Sequence, residues 1–575
     1  MVEDWLIECV ICGKEYQIDC NSLNISVSDQ GDVVEHYFWG ERICNGCRNR
    51  LFYRTKVYEQ PRGSFLREDH ECDDVNFLIP PKIRQDLILT SPTTAIRTEI
   101  QCASAERRNV KGGKTMSNIW LLTEEKPKTS VVKQILQIYK DDFGVNYFCD
   151  DYLKIMPIIH RDIFTFTYHV EGVSVDGIDN VYIKTVSGGS SFLDFLFFVQ
   201  SNEPIEGEAN NLVFAVEETK TSDDESRNTG VYQRCSKFVY IKAFYSDVPL
   251  YMLYNDELGL RADKRPSDTS ILGTNMMLTN NVKISGKPVD KWFRPFRSVD
   301  ELIDFKNGMR RPPAGNTPIL IHKTDNKITI SGRLDKPKNI GKIAHDPNIG
   351  ALSYISYTLR QLGWNGEIEI IDHNVVQSSV RNNSHNKFLS ICNMLDLKMK
   401  GITMPTNYEL PDSYWHYEDK SEKMASILFH IACECIGLKE VYQNHAGCER
   451  GYFKTASGVL ITLPKRCGAD EHNLLIPDVI MRDDINRIVY LIEGKKLSTI
   501  NNGLEEIEDY DDIETLYINK YFPGYIVKRY LTIFGGSLFS LPHDKVILYL
   551  NDSGKVILNE AKEPELSSKI KTLFT

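Results

Sequence analysis

The sequence lacks any uninterrupted apolar run of about 18 residues, the length that a membrane-spanning helix requires. Its first residues, MVEDWLIECVICGKEY, also lack the basic start and apolar stretch of a secretory signal peptide. We therefore expect a cytoplasmic protein, in a prokaryotic host, with no membrane partner. In that compartment the 14 cysteines should be reduced or bound to metal rather than paired in disulfides.

The sequence also lacks the positive net charge that is typical of nucleic-acid-binding proteins, since its formal charge is −11. The basic residues are nevertheless clustered, in CRNRLFYRTK, ERRNVKGGK, KWFRPFR, KNGMRRPP and GRLDKPKNIGK. Acid is concentrated elsewhere, notably in LEEIEDYDDIE. A basic surface on an acidic protein is compatible with binding to double-stranded DNA, so the net charge does not exclude it.

Two acids and a lysine stand at strand ends in the stretch LLIPDVIMRDDINRIVYLIEGKK. Two apolar runs flank the turn signal RDDIN and predict a β-hairpin or two neighbouring strands. Because residues two apart share one face of a strand, Glu493 and Lys495 should face Asp478 on the neighbouring strand. Paired carboxylates bind Mg²⁺, and a lysine beside them can position or deprotonate a water or stabilise phosphate charge. A surface hairpin with ordinary charges is the alternative.

A second stretch has the same elements, in FLDFLFFV and NLVFAVEETK. The period of two places Glu218 and Lys220 on one face and Glu217 on the other, with Asp194 at the preceding strand. Leu193 precedes that aspartate where proline precedes the first one. The metal ligand could instead be one of three loop acids: Glu203, Glu206 and Glu208.

Two cysteine pairs, CVIC and CNGC, have the spacing of zinc knuckles. The thiolates of Cys9, Cys12, Cys44 and Cys47 would hold one structural Zn²⁺. Buried free cysteines are the alternative. Cys20, His36, His70 and Cys72 are further possible ligands that we do not favour.

The two acid–lysine stretches resemble the PD-(D/E)xK nuclease superfamily, which includes most type II restriction endonucleases. The first motif to appear in the chain resembles the EcoRI-like branch, and the pair resembles single-chain type IIS enzymes with two active sites. The resemblance implies a Mg²⁺-dependent, site-specific deoxyribonuclease that works as a monomer on DNA, with a DNA methyltransferase as genetic partner. It also makes four residues candidates for DNA contact, although each is individually more often a solvated side chain: Arg227, Asn228, Gln233 and Arg234.

We expect an α/β protein with two PD-(D/E)xK-like cores, each a mixed sheet flanked by helices, and an N-terminal zinc module. The expected divisions are 1–75 for the zinc module, 76–260 for the EcoRI-like core, 261–405 for a linker and DNA-recognition insertion, and 406–575 for the second core. A helix is expected after Asp346, and Glu434 on a later helix either faces the second site or lies on a surface. A repair or mobile-element nuclease, or a zinc-containing DNA-binding protein without catalysis, are the alternative functions.

Overall fold

The computed structural model divides the chain into two compact units, Met1–Gly112 and Gly113–Thr575. The described part of the first unit comprises residues 5–9, 14–18, 24–29, 34–43, 50–59, 65–69 and 75–77. The second is described from 117 to 574, except for 187–191, 209, 220–234, 255–265, 287–288, 290–291, 310–318, 333–334, 337–338, 344–346, 373–377, 380–385, 401, 404–409, 418–421, 446–451 and 464–473.

The described residues of the first unit form two antiparallel sheets. One has the strand order Glu15–Ile18, Trp5–Cys9 and Val75–Phe77. The other is a meander of Asn24–Asp29, Val34–Ile43, Arg50–Glu59 and Phe65–Asp69. In sequence, each cysteine pair falls between two antiparallel strands, at the end of Trp5–Cys9 and after Val34–Ile43. Of the four cysteines, Cys12, Cys44 and Cys47 lie outside the described residues, and only the backbone of Cys9 is described.

The second unit is built on an eight-stranded mixed sheet, here called the first sheet. Its spatial order is Lys283–Ser285, Leu250–Tyr254, Leu212–Thr219, Phe195–Gln200, Asn118–Thr123, Val181–Thr185, Ile163–Val175 and Tyr147–His160. The run FLFFVQ at 195–200 is mostly buried, as expected of an inner strand that is covered on both faces.

A six-stranded mixed sheet, here called the second sheet, lies in the same unit. Its order is Lys439–Gln443, Val479–Asp483, Ile488–Lys496, Ile526–Phe534, Val546–Leu550 and Val556–Leu558. The predicted hairpin is therefore confirmed, with Val479 opposite Ile492 in an antiparallel pair.

Smaller sheets and helices complete the described part of this unit. Leu320–Lys323, Lys327–Gly332, Glu367–Asp372 and Leu397–Lys400 form one sheet, and Asp335–Lys336, Asn339–Ile343, Ser378–Ser379 and Ile402–Thr403 form another, while Tyr452–Lys454 pairs with Leu460–Thr462. The α-helices are Thr129–Phe143, Ser236–Tyr240, Asp268–Thr279, Val299–Gly308, Pro347–Gln361, Asn386–Leu395, Lys423–Cys435, Ile500–Glu508, Asp511–Ile513, Asn519–Tyr521 and Pro564–Lys571. Single turns of 3₁₀-helix span Ile241–Ala243 and Leu497–Thr499, and Glu514–Ile518 is a π-helical turn.

The two large sheets share a five-strand pattern. In the first sheet, Asn118–Thr123, Phe195–Gln200 and Leu212–Thr219 are successively antiparallel, and the next two strands continue parallel. In the second sheet, Lys439–Gln443, Val479–Asp483 and Ile488–Lys496 are likewise antiparallel, followed by two parallel strands. In both sheets a helix connects the third strand to the fourth.

The helix Lys423–Cys435, here called the central helix, packs into a core to which both large sheets contribute. Every residue from Met424 to Cys433 is buried, because the helix is apolar almost all round. Its ends also make polar contacts with the first sheet: Thr185 donates to the sulfur of Met424 at 3.0 Å, and the Cys435 thiol donates to the Ile155 carbonyl at 3.2 Å. The expected divisions at 260 and 405 both fall within the compact unit Gly113–Thr575 and stay predictions.

The coarse class is confirmed, since the described residues form mixed sheets flanked by helices. The helix expected after Asp346 spans Pro347–Gln361, with Leu352, Ile355 and Leu359 buried. Among the described residues, no helix combines the length and apolarity needed to cross a membrane.

Candidate active site

Asp478 and Glu493 meet at one end of the hairpin in the second sheet. Asp478 directly precedes the strand Val479–Asp483, and the register of that strand places it opposite Glu493. Its Oδ2 accepts a hydrogen bond from the backbone N–H of Gly494 at 3.0 Å. Its own backbone N–H points at Glu493 Oε2 at 3.3 Å. The hairpin thus holds the two carboxylates side by side.

Two further side chains contact Glu493 directly, and a third contacts one of them. Lys495 Nζ lies 2.6 Å from Glu493 Oε1, and it also pairs with Glu506 at 2.9 Å from the following helix. The hydroxyl of Tyr510, which is fully buried, donates to Glu493 Oε2 at 2.6 Å. Glu493 is thereby fixed from two sides, and Lys495 lies on its face of the strand, as the period of two predicts.

The carboxylates of this centre carry unfavourable negative charge in the absence of a cation. Burial, and then repulsion by Glu493, raises the pKa of Asp478 well above its usual range. Burial also raises the pKa of Glu493, although Lys495 and Tyr510 oppose that shift. Burial lowers the pKa of Lys495, but Glu493 and Glu506 outweigh it and the net pKa is raised. Lys495 is therefore an ammonium at neutral pH, beside a carboxylate pair that a cation would stabilise.

The first sheet repeats this geometry around Asp194. This residue directly precedes the strand Phe195–Gln200, and pairing of Phe195 with Val216 places Asp194 opposite Glu217. Asp194 Oδ2 accepts a hydrogen bond from the backbone N–H of Glu218 at 2.7 Å. Glu218 is thus the counterpart of Gly494, and Glu217 is the counterpart of Glu493.

A lysine completes the Asp194 cluster from a different element. Lys237, in the helix Ser236–Tyr240, lies 2.9 and 2.8 Å from the two carboxylate oxygens of Glu217. It also lies 3.5 Å from Asp194 Oδ1. The Glu217 side chain is completely buried, so this ion pair is shielded from solvent on the glutamate side. Lys237 thus forms the ion pair with Glu217 that Lys495 forms with Glu493.

The structure brings a different acid to Asp194 from Glu218, the one that the sequence pattern selects. Glu217 rather than Glu218 lies beside Asp194, because the strand register pairs the aspartate with residue 217. The sequence did hold a signal: Glu217 directly follows the apolar run NLVFAV, as Glu493 directly follows RIVYLI. Lys220 lies outside the described residues, and the lysine found at the carboxylates is Lys237.

Other expected site residues have different outcomes. The four candidate DNA contacts, Arg227, Asn228, Gln233 and Arg234, lie outside the described residues. Among the alternative acids, Glu203 forms an ion pair with Lys184, and Glu206 accepts a hydrogen bond from the backbone N–H of Tyr417 at 2.8 Å. These contacts give both acids a structural role in their loop.

Glu434 does not face the second centre. Its carboxylate lies 2.8 Å from Lys126 Nζ, whose side chain is buried, and 3.5 Å from His430 Nε2. Burial raises the pKa of Glu434, but Lys126 and His430 outweigh it and bring the pKa to about 2. Glu422, which directly precedes the central helix at its opposite end, acts electrostatically on Asp478.

The ligand atoms of His430, Glu434 and Glu440 lie within 4.8 Å of one another, the arrangement of a possible metal site. Lys126 Nζ occupies this cluster, 3.2 Å from His430 Nε2 and 3.5 Å from Glu440 Oε2. The lysine ammonium therefore supplies the positive charge that a metal would otherwise bring.

Gly494 allows the central helix to approach the Asp478 centre. A β-carbon at Gly494 would lie 3.1 Å from Asp478 Oδ2 and 3.2 Å from the Oγ of Ser426 in the central helix. Glycine is thus the residue that leaves room for both groups. Sequence reasoning missed Ser426, Tyr510 and Glu506, because none belongs to the acid–lysine motif.

No protein-family model, curated protein or solved structure matches this chain.

Proposed function

We propose that the chain is a Mg²⁺-dependent, sequence-specific endonuclease of double-stranded DNA, with one hydrolytic centre for each strand. The observation that supports this most is the repetition of one arrangement in two sheets: an aspartate held by a strand N–H, a glutamate opposite it and a lysine on the glutamate. Chance placement of ordinary charges does not favour the same hydrogen bond and ion pair twice.

The carboxylates of each centre fit a hard divalent cation. Asp478 and Glu493 would hold Mg²⁺ at one centre, and Asp194 and Glu217 at the other, with substrate phosphate oxygens as further ligands. The raised pKa of Asp478, caused by burial and then by repulsion from Glu493, supports this assignment, since a bound cation would offset both. The metal would supply Lewis acidity and a water of lowered pKa.

Lys495 and Lys237 have an electrostatic role in this proposal. An ammonium that is held by two carboxylates does not readily give up its proton, so Lys495 is better suited to stabilise phosphate charge than to act as a base. Lys237 has the same type of contacts at the first centre, with Glu217 and Asp194.

Two unlike centres in one chain suit an asymmetric DNA site. A homodimer presents identical centres to a palindrome, whereas this chain presents two different lysine placements within one compact unit. We propose a type II restriction enzyme of the type IIS kind that acts as a monomer on DNA, and a cognate DNA methyltransferase encoded nearby would support restriction over repair. Arg227, Asn228, Gln233 and Arg234 remain candidate DNA contacts.

Zinc belongs to the proposal as a structural ion. Cys9, Cys12, Cys44 and Cys47 would form a closed four-thiolate site in the first unit. Elemental analysis of the untreated protein should find one zinc per chain, and Cys44→Ala should remove it.

Cleavage of plasmid DNA tests the proposed activity. Supercoiled plasmid should become linear at a defined position with Mg²⁺ and remain intact with excess EDTA. The variant Glu493→Gln combined with Glu217→Gln should bind the same DNA without cutting it. Equal cleavage by the wild type with and without EDTA would refute the metal assignment. Cleavage by the double variant at the wild-type rate would refute the site assignment.

A further inference from the structure

A buried chain of hydrogen bonds leads from a loop beside the first sheet to a serine that packs at the Asp478 centre. It begins at Lys126, three residues after the strand Asn118–Thr123 of the first sheet. It continues through His430 and His445, both buried, and ends at Ser426 in the central helix. Ser426 in turn lies against Gly494, on the same side as the Asp478 carboxylate.

The chemistry of Lys126 gives the chain one direction. An ammonium has three donors and no acceptor. The Lys126 ammonium meets three acceptor atoms: Glu434 Oε1 at 2.8 Å, His430 Nε2 at 3.2 Å and Glu440 Oε2 at 3.5 Å. A neutral His430 ring that accepts from this ammonium presents the lone pair of Nε2 to it, which places the ring proton on Nδ1.

Each later link follows from this proton position. His430 Nδ1–H donates to His445 Nε2 at 3.1 Å, so the proton of the His445 ring is on Nδ1. That N–H donates to Ser426 Oγ at 3.1 Å. The Ser426 hydroxyl then donates to the Lys423 carbonyl at 3.1 Å. Burial lowers the pKa of His445 well below its usual range, which is consistent with a neutral ring.

The same side chains allow a second set of hydrogen-bond directions. His430 Nε2 also lies 3.1 Å from Glu440 Oε2. Without the lysine ammonium, Nε2 would carry the proton and donate to Glu440. His430 Nδ1 would then accept from His445, and Ser426 would have to donate to His445 instead of to the Lys423 carbonyl. Lys126 thus selects between two hydrogen-bond directions.

We propose that Lys126, His430 and His445 are positioning residues of the Asp478 centre, which hold Ser426 against Gly494 and so restrict the Asp478 carboxylate. The role in metal binding rests on the proposed nuclease function, whereas the direction of the chain does not. In consequence, a residue of the loop that follows a strand of the first sheet influences the geometry of the centre in the second sheet. Removal of groups that orient metal ligands typically changes metal affinity by roughly 10- to 100-fold.

Histidine NMR tests the direction of the chain without any activity. In the full-length protein, selectively ¹⁵N-labelled on histidine, His430 should be the Nδ1–H tautomer. Lys126→Met should convert it to the Nε2–H tautomer, with signals identified through His430→Gln and His445→Asn. Lys306→Met is the matched control, because Lys306 is also buried but donates to the Ile319 carbonyl, and it should leave the His430 signals unchanged. A wild-type Nε2–H tautomer, or no change in Lys126→Met, would overturn the proposed direction.

Mn²⁺ binding tests the positioning role, also without DNA cleavage. The affinity of the Asp478 centre is measured by electron paramagnetic resonance in an Asp194→Asn background. His445→Phe, which removes both ring nitrogens, should weaken Mn²⁺ about 10- to 100-fold. His445→Asn, whose amide can donate to Ser426, should recover to within about 3-fold of the parent.

Equal Mn²⁺ affinity in His445→Phe and its parent would overturn the positioning role. So would an equal loss in the Lys306→Met control, because the effect would then reflect general destabilisation. If the wild type bound Mn²⁺ as described but cut no DNA, the proposed nuclease function would fail while the positioning role stood.

Discussion

The two centres have the same aspartate and glutamate geometry but obtain their lysines from different elements. In the second sheet, Lys495 follows Glu493 by two residues on one strand. In the first sheet, Lys237 reaches Glu217 from a helix that begins at Ser236. The strand register fixes where the carboxylates must stand, since Asp478 and Asp194 are each held by the N–H of the residue after the glutamate. The lysine beside them can come from any element whose packing brings an ammonium close to the glutamate.

The centres also differ at the residue that donates this N–H. At the second centre it is Gly494, because Ser426 of the central helix fills the space where a side chain would stand. At the first centre it is Glu218, which is buried and carries a full side chain. The equivalent backbone role is therefore compatible with a large side chain at the first centre.

The largest expected effect distinguishes the two neighbouring glutamates of the first centre. Glu217→Gln should reduce cleavage of one DNA strand by about 10²–10³-fold, because it removes a charge that faces Asp194 and Lys237. Glu218→Gln should have a much smaller effect, because its backbone N–H remains. Single-turnover rates on strand-labelled DNA measure both. A larger loss in Glu218→Gln would return the acid role to that residue and remove the equivalence with Glu493.

A smaller effect is expected at Gly494, whose backbone N–H donates to Asp478. Gly494→Ala places a methyl group 3.1 Å from Asp478 Oδ2 and 3.2 Å from Ser426, so one of them must move. We expect cleavage at the second centre to require a roughly 10- to 100-fold higher Mg²⁺ concentration. Glu218→Ala is the matched substitution at the first centre. It should leave the Mg²⁺ concentration that this centre requires for cleavage unchanged. Similar titration curves for Gly494→Ala and the wild type would contradict this steric requirement.

The smallest effect is on stability and depends on pH. Because the folded-state pKa of Asp478 is raised, the folded protein retains a proton that the unfolded chain has already lost, and stability falls as the pH rises from the ordinary carboxyl pKa to the raised one. Without divalent cations, Asp478→Asn should be more stable than the wild type at pH 8, by about 0.5–2 kcal/mol. The difference should vanish near pH 4. Chemical denaturation across this range measures it.

Asp194→Asn is the comparison at the other centre. It removes an ion pair with Lys237 and should not increase stability. The proposed difference between the two electrostatic environments would be contradicted by either of two results. One is a stabilising Asp194→Asn, and the other is an Asp478→Asn whose stability at pH 8 equals that of the wild type.

The sequence predicts the second centre well because all three residues lie on one hairpin. The apolar runs end directly at Asp478 and Glu493, and a short turn joins them. Glu217 was missed because the E-x-K pattern selects Glu218, although the end of the apolar run favours its neighbour. Lys237 could not be predicted in the same way, since its distance from Glu217 depends on how the helix Ser236–Tyr240 packs.

Contacts between distant parts of the chain were beyond sequence reasoning. Lys126 and His430 are 304 residues apart and meet only because the central helix packs between the two sheets. The same packing places the central helix in one core with residues of both sheets. The apolar composition of the central helix predicts burial but does not identify the surfaces that cover it.

One measurement tests the equivalence of the two centres most directly. A duplex that contains the cleavage site, labelled differently on each strand, is incubated with Mg²⁺ and with Lys495→Ala, Lys237→Ala or the double variant. We expect each single variant to lose cleavage of one strand by about 10²–10³-fold, the two variants to lose opposite strands, and the double variant to bind without cutting. If Lys237→Ala cut both strands at the wild-type rate, the Asp194 cluster would be structural. In that case a dimer that uses only the Asp478 centre would replace the two-centre monomer.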